Sequence, residues 1–204
     1  AGTTGLQIRD RLTGRDDIVL ISLSAEERKD TEARRRALNE ADLSILCLPD
    51  AAAREAVSMI ENPDTKVIDA STAHRVHNDW VYGFPEMSLG QEEAVRHARF
   101  VSNPGCYATA AVGLIRPLIE SALLQADDPI TVNGISGYSG GGKVLIKSME
   151  DTDAADHVSA NVFAYGLTLQ HKHLPEMQTY SMLEHVPIFQ PSVGRYYKGM
   201  AVYV

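Results

Sequence analysis

Apolar and polar positions alternate in blocks along the first hundred residues, and the blocks predict strands and helices in turn. Thr4 to Leu12 reads as a short helix, Ile18 to Leu23 as a strand, and Thr31 to Ala41 as a strongly charged helix. Leu43 to Leu48 is a continuous apolar run of the kind that fills a buried parallel strand. Asp50 offers a natural N-cap for a helix over Ala51 to Ile60. A strand at Lys66 to Ala70, a helix at Gln91 to Ala98 and a strand at Arg99 to Ser102 follow. Repeated strand–helix units with short connections predict an α/β fold: a doubly wound parallel sheet of Rossmann type, with helices on both faces.

The texture changes near Pro104. An apolar helix over Ala108 to Leu124 leads to a strand at Ile130 to Ile135, a glycine cluster and a polar stretch from Glu150 to Ser159. A helix at Leu174 to Leu183 and strands at Pro187 to Phe189 and Met200 to Val204 complete a less regular α+β unit. The expected domains are therefore 1–104 and 105–204. Ala1-Gly2-Thr3-Thr4-Gly5 opens on a glycine turn that ordinarily follows a strand, and Gly199 to Val204 stops inside a strand pattern. Both units are thus expected to be incomplete.

Composition narrows the function classes. The 204 residues are 44% hydrophobic and 23% charged, with two cysteines and a net charge of −8. That balance argues against a nucleic-acid partner, which needs a basic surface. No apolar run approaches the roughly 18 residues that span a bilayer, so no membrane partner is expected. Two cysteines make no disulfide framework, and a reducing cytoplasm is the expected location. A small anionic substrate stays compatible, because a local cluster of cations or amides can oppose the global sign.

Within this frame Asn103-Pro104-Gly105-Cys106-Tyr107 carries the most chemistry. It lies between a short strand and a long apolar helix, so Cys106 falls at or near the first helical position. There the helix dipole favours thiolate over thiol, and free N–H groups could cradle an oxyanion. The same cysteine also reads as a small buried hydrophobe.

Phosphate-handling signals come from three places. Gly2-Thr3-Thr4-Gly5, entering a helix, fits the last two glycines of a dinucleotide turn. The next strand ends Ser22-Leu23-Ser24, with Arg28 and Lys29 close behind and no carboxylate where NAD folds usually place one. Hydroxyls and cations suit a 2′-phosphate, which favours NADP. Ser136 to Lys143 places Gly137 and Lys143 in a G-x-x-x-x-G-K frame, but Val144 stands where a nucleoside triphosphate loop needs Ser or Thr. It reads instead as a flexible anion-accepting loop of backbone N–H groups, with Lys143 beside it.

A thiolate needs a proton partner. His171-Lys172-His173 immediately precedes Leu174-Pro175-Glu176, where Pro175 suits a first helical turn. Residues two apart do not share a helix face, so only one of the pair would meet Cys106 directly. No third ligand in a recognisable spacing supports a metal site.

Taken together, Gly2-Thr3-Thr4-Gly5-Leu6, Leu46-Cys47-Leu48-Pro49-Asp50, Asp69-Ala70-Ser71-Thr72-Ala73-His74-Arg75 and Tyr82-Gly83-Phe84-Pro85-Glu86 occur in order. Asn103 to Tyr107, Ser136 to Gly140 and His171 to Glu176 follow. The set resembles the N-acetyl-γ-glutamyl-phosphate reductases, in their shorter form, within the semialdehyde dehydrogenase superfamily. The resemblance implies an NADP-binding Rossmann domain whose first strand precedes Ala1. It also implies a substrate domain, continuing beyond Val204, related to those of aspartate-semialdehyde and glyceraldehyde-phosphate dehydrogenases. The implied activity is NADPH-dependent reduction of N-acetyl-γ-glutamyl phosphate to its semialdehyde, a step of arginine biosynthesis, in a homo-oligomer.

In that scheme Cys106 is the nucleophile, His171 the first choice as acid–base group and His173 the substrate-positioning partner, with exchange of roles open. Ser71, Ser139 and Gly140 become candidates for the cofactor, and Cys47 and Pro49 lie at a strand's carboxyl end, where open α/β sheets bind ligands; Cys47 itself reads as structural. Asn103, Arg75, Ser136 and Lys143 become candidates for the substrate. Two positions depart from the pattern: Ala108 stands where many relatives carry proline, and Gly141-Gly142 where they often have Ala-Gly. An aspartyl-phosphate reductase, a cysteine hydrolase and a non-catalytic dinucleotide-binding module are the rival readings.

Overall fold

The computed structural model describes residues 3–204; Gly2 of the expected dinucleotide turn lies outside the described residues. The chain forms two compact units, one ending at Pro104 and the other beginning at Gly105. In the first unit, helix α1 (Thr3–Leu12) is followed by α2 (Thr31–Glu40), β1 (Leu43–Leu46), α3 (Asp50–Ser58) and β2 (Lys66–Asp69). A short strand β3 (Val81–Tyr82), α4 (Gln91–His97) and β4 (Phe100–Ser102) complete it. The strands lie in the order β1-β2-β4-β3, and every neighbouring pair is parallel.

Register decides where this sheet can act. Leu46 stands opposite Asp69, and Asp69 opposite Ser102. The three strands therefore end level, and Cys47, Ala70 and Asn103 leave the sheet along its carboxyl edge, where open α/β sheets bind ligands. Ala70 N–H still donates to Leu46 O (2.9 Å) and Asn103 N–H to Asp69 O (2.7 Å), which prolongs the ladder by one step. Leu46, Ala56, Val67 and Trp80 form the buried core, with Leu38, Val57, Ile60 and Phe100 packed around it. Asp30 starts α2 by accepting from the N–H groups of Glu32 (2.9 Å) and Ala33 (3.4 Å), so a side chain satisfies donors that the first turn leaves open.

Two expectations fail in this unit. Residues 18–23 form no strand: none of the four strands pairs with them, and Val19 (92%) and Ile21 (50%) are exposed. An apolar run becomes a strand only when a neighbour completes its ladder. Asp50 is not the cap of α3 either. Pro49 occupies the cap position, and the Asp50 carboxylate accepts from the N–H (3.0 Å) and the hydroxyl of Thr72. A tertiary partner 22 residues away takes the oxygen that the local rule assigns to the helix.

The second unit opens with α5 (Cys106–Glu120), then β5 (Thr131–Gly137), α6 (Gly142–Glu150) and a short strand β6 (Val162–Ala164). Helix α7 (Leu174–Tyr180) and strands β7 (Ile188–Gly194) and β8 (Met200–Tyr203) complete it. The sheet order is β6-β7-β5-β8, with the central pair parallel and both outer pairs antiparallel. Helix α5 forms because Ala108, Ala111, Val112 and Ile115 repeat at helical spacing, and all four are fully buried. Ala108, Ala111 and Ile115, with Tyr107, pack on Val132 and Phe189 of the sheet and on Leu174 and Met177 of α7. Helix α5 stops four residues earlier than expected, where Ala122 turns to a φ of 55°. Strands β5 and β7 alternate over their first six residues, one face in the core and the other open. The open face carries Val162, Ile188 and Tyr203, all more than half exposed.

One arginine shapes the segment between α6 and β6. Arg195 donates from Nε to Ala160 O (3.3 Å), from Nη1 to Met149 O (3.0 Å) and from Nη2 to Val158 O. Its own N–H meets Asn161 O at 2.8 Å.

Candidate functional site

Cys106 is the first residue of α5, and its thiol is free and exposed. Gly105 caps the helix with extended backbone (φ −67°, ψ 141°) and no side chain. The Gly105 N–H donates to Glu176 Oε2 at 2.8 Å, a buried hydrogen bond across 71 residues. Its carbonyl accepts from the N–H (2.8 Å) and the hydroxyl (3.0 Å) of Thr109. The turn is therefore anchored on both sides of the residue that precedes the cysteine, while Cys106 itself is exposed at the positive end of a 15-residue helix.

Tyr107 forms the floor. Its ring packs against Phe189 (5.1 Å between centroids), and its hydroxyl donates to Ser192 O at 2.9 Å. Ser136 and Tyr165 lie near enough to act on this phenol, and burial pushes the Tyr107 and Tyr165 phenols upward. Both hydroxyls thus keep their protons at neutral pH. Cys106 lies near enough to act electrostatically on each phenol, so the thiol and the two phenols share one locality.

The histidines sit beside the same ring. Tyr107 lies 6.2 Å from the His171 ring and 6.1 Å from the His173 ring, and the two imidazoles are 4.6 Å apart, edge to face. Tyr165 stands 5.8 Å from His171. His173 is buried and caps α7, and its N–H donates to His171 Nδ1 at 3.1 Å. Burial first, and the neighbouring Lys172 charge second, lower the pKa of His171 below its ordinary value of 6.5. At neutral pH His171 is therefore an uncharged imidazole whose Nδ1 lone pair is occupied, which leaves the proton on Nε2.

Ser136 joins this group: it is buried at the end of β5 and meets Tyr107. The loop after it is less free than its glycines suggest. The N–H groups of Gly137, Tyr138 and Ser139 donate to Gly199 O (2.9 Å), Tyr196 O (3.0 Å) and Tyr197 O (2.9 Å). A Cβ on Gly137 would come within 2.7 Å of the Lys198 backbone, so the close approach requires glycine. The expected flexible cradle is thus partly spent on the neighbouring segment. Ser139 and Gly140 lie in the 3₁₀ turn Tyr138–Gly141, and Lys143 is exposed in the first turn of α6.

In the first unit the carboxyl edge of the sheet gathers Cys47, Ser71, Arg75 and Asn103. Asp69, wholly buried at the end of β2, accepts from Ser71 N–H (2.9 Å) and Ser71 Oγ (2.6 Å), and lies 2.6 Å from His74 Nδ1. Arg75 is buried and donates to Asn103 O (3.0 Å) and Ala70 O (3.1 Å). Ser71 and Arg75 thus shape the loops that leave the strands. Burial and then the Asp69 charge push the Cys47 thiol upward, away from thiolate. Pro49 is exposed at the cap of α3, and the Asn103 side chain is exposed, with Nδ2 on Pro104 O (3.3 Å).

Thr3, Thr4 and Gly5 lie in the first turn of α1. Ser22, Ser24 and Arg28 are exposed in an irregular segment and the 3₁₀ turn after it. Ser24 and Glu27 cap one another: Ser24 N–H donates to Glu27 Oε2 (2.8 Å), and Glu27 N–H to Ser24 Oγ (3.2 Å). Arg28 donates from Nε to Leu23 O (3.1 Å), the one hydrogen bond of its guanidinium among the described residues. An anion would meet the rest of the Arg28 guanidinium and the Ser22 and Ser24 hydroxyls, with the Glu27 carboxylate nearby as an opposing charge. The donor set fits a phosphate.

Sequence reasoning missed Glu176 as a partner of the cysteine turn, because a contact across 71 residues leaves no local signal. It missed the Asp69–His74 pair as well, although both residues were visible in one motif. Among the described residues no cluster of three or more His, Cys, Asp or Glu is placed to hold a metal, and no helix is long and apolar enough to cross a membrane.

Comparison with known proteins adds an independent line. Residues 21–97 match the family model described as "Semialdehyde dehydrogenase, NAD binding domain", and residues 106–204 match "Semialdehyde dehydrogenase, dimerisation domain". Proteins of Brucella ovis and Brucella canis, each named N-acetyl-gamma-glutamyl-phosphate reductase, are 55% identical over all 204 residues. The chain spans 66% of the length of these relatives. An aspartate semialdehyde dehydrogenase structure from Francisella tularensis shares the fold at a TM-score of 0.62 and 10% identity, over 98% of this chain and 72% of the other. A second, aspartate semialdehyde dehydrogenase II from Vibrio cholerae, gives 0.56 and 14% over 81% and 55%. With both domains matched in chain order and identity at this level from end to end, the chain belongs to the semialdehyde dehydrogenase family.

Proposed function

We propose that the protein reduces N-acetyl-γ-glutamyl phosphate to N-acetylglutamate semialdehyde with NADPH, through a thioester on Cys106. The observation that carries this reading is an exposed sulfur at a helix start, next in the chain to Tyr107, whose ring adjoins an imidazole pair. The names of the 55% identical relatives supply the substrate.

Cys106 Sγ attacks the acyl carbon; the S–C bond forms, the bond from carbon to the phosphate oxygen breaks, and inorganic phosphate leaves. NADPH, when bound, supplies the hydride that brings the thioester to the oxidation level of the aldehyde. Exposed Ser22, Ser24 and Arg28 would hold its 2′-phosphate, and the start of α1, with Thr3, Thr4 and Gly5, its pyrophosphate. The oxyanion's electron pair then re-forms the carbonyl as the C–S bond breaks, which releases the aldehyde and returns the Cys106 thiolate; a histidine that protonates the oxyanion in passing takes that proton back in this step.

The histidines divide the proton work. His171, with Nδ1 occupied, cannot take a second proton unless it gives up the His173 N–H. Its Nε2–H is suited to donate a hydrogen bond to a substrate oxygen. Proton transfer then falls to His173. This exchanges the roles first expected of the pair. Asn103, Ser136 and Lys143 are proposed for the substrate's carboxylate and phosphate, and Ser139 and Gly140 for the cofactor. Cys47, Pro49, Ser71 and Arg75 are proposed to form the edge on which the cofactor rests. The partner in assembly is a second copy of the chain, in keeping with the dimerisation-domain match and the open, partly apolar face of the second sheet.

The test is phosphate-dependent reduction of NADP with N-acetylglutamate semialdehyde, with aspartate semialdehyde as the control. Activity confined to the acetylated substrate is expected, and preference for the aspartyl compound overturns the substrate assignment. Cys106→Ala should abolish turnover while NADPH binding, read by fluorescence titration, persists. Turnover that survives the substitution removes the covalent route.

A further inference from the structure

Glu176 is among the least exposed charged residues of the chain, at 1%, and the scheme above gives it no task. It occupies the third position of α7, three residues after the cap residue His173. A glutamate there ordinarily reaches back to the cap residue's N–H and closes a capping box. Here that N–H is already donated to His171 Nδ1. The displaced carboxylate reaches instead to the Gly105 N–H, 2.8 Å away, directly before Cys106. One histidine thus takes over the capping duty, and the freed glutamate joins the histidine-bearing helix start to the cysteine-bearing one.

We propose that Glu176 is a positioning residue: its hydrogen bond to Gly105 fixes Cys106 relative to the His171–His173 pair. The inference rests on the reading of Cys106 as the nucleophile. What matters is an acceptor at glutamate's reach, and the charge is secondary. A hydrogen bond from a backbone N–H to a carboxylate is short and directional. Its loss would remove the hold on the Gly105 N–H and leave that residue's carbonyl on Thr109. A misplacement of about 1 Å in an attacking group costs on the order of 10²-fold in rate.

Two variants separate reach from charge. Glu176→Gln keeps an acceptor at full length and removes the charge, whereas Glu176→Asp keeps the charge and falls one methylene short. The expected result is kcat within about tenfold of the parent for Glu176→Gln, and a fall on the order of 10²-fold for Glu176→Asp with little change in KM. Amide exchange at Gly105 should quicken in Glu176→Asp and stay slow in Glu176→Gln. The opposite order, with Asp active and Gln dead, overturns the proposal in favour of a charge or proton role. Unchanged kcat in Glu176→Asp overturns it outright, and if that variant does not fold, an inactive but folded Glu176→Gln does the same. Iodoacetamide labelling of Cys106, read by peptide mass in each variant, reports the sulfur without substrate. Loss of turnover with labelling intact points to position, whereas activity in Cys106→Ala defeats the nucleophile reading itself.

Discussion

Gly134 makes room for Tyr107. A Cβ on this strand residue would lie 2.4 Å from Cε1 and 2.6 Å from Cδ1 of the Tyr107 ring, closer than side chains approach in folded proteins. The ring that adjoins both imidazoles therefore sits flat against bare backbone in the middle of β5.

Gly134→Ala should push that ring, and the Cys106 turn with it, off its seat. Overpacking of this kind costs about 1–3 kcal/mol. Chemical denaturation should report the loss, and turnover should fall further than the lost stability explains. A variant as stable and as active as the parent would show that the ring has another place to go.

The two histidines should fail differently. If His173 moves the proton, His173→Asn lowers kcat by roughly 10²–10⁴-fold and flattens the corresponding limb of the pH–rate profile. His171→Asn should retain the limb while weakening catalysis through loss of the Nε2–H donor. A lost limb in the His171 variant alone would return the acid–base part to that residue.

His171 should titrate below 6.5, since burial and Lys172 both oppose its charge. For a histidine held neutral in the fold, the unfolded chain binds the proton more readily. Its contribution to stability is therefore complete above 6.5 and declines as pH falls from there toward the lowered value. NMR titration of the ring should place the midpoint under 6.5, and Lys172→Met should raise it. A midpoint above 6.5 would contradict the environment described for this ring.

Asp69→Ala should cost about 3–5 kcal/mol, because it breaks a buried pair and strips partners from Ser71 and His74 together. Urea unfolding measures the loss as a lower midpoint. His74 also stacks on Trp80 at 4.2 Å and 9°, so Trp80 fluorescence should report the disturbance of the loop directly.

Elements set by local rules were legible in the sequence, and those set by distant partners were not. The apolar spacing of α5, the continuous run of β1 and the extended residue before Cys106 each follow from neighbours a few positions away. The segment 18–23 had a strand's composition but no pairing neighbour, so its exposed Val19 and Ile21 belong to no sheet. Asp50 had the chemistry of a cap and was diverted to Thr72. The place of the cysteine at a helix start was legible, because it follows from Pro104 and Gly105. The hydrogen bond inside the histidine pair was not, since it joins one backbone N–H to one ring nitrogen.

The hold of Arg195 on the carbonyls of Met149, Val158 and Ala160 has a wider meaning for the polar stretch they enclose. A guanidinium that grips main chain is indifferent to which side chains hang from it. Substitution at Met149, Val158 or Ala160 leaves that grip intact, so within the stretch the changes that matter are those to Glu150, Asp151 and Asp156, whose carboxylates accept from Tyr138, Asp153 and Ser148.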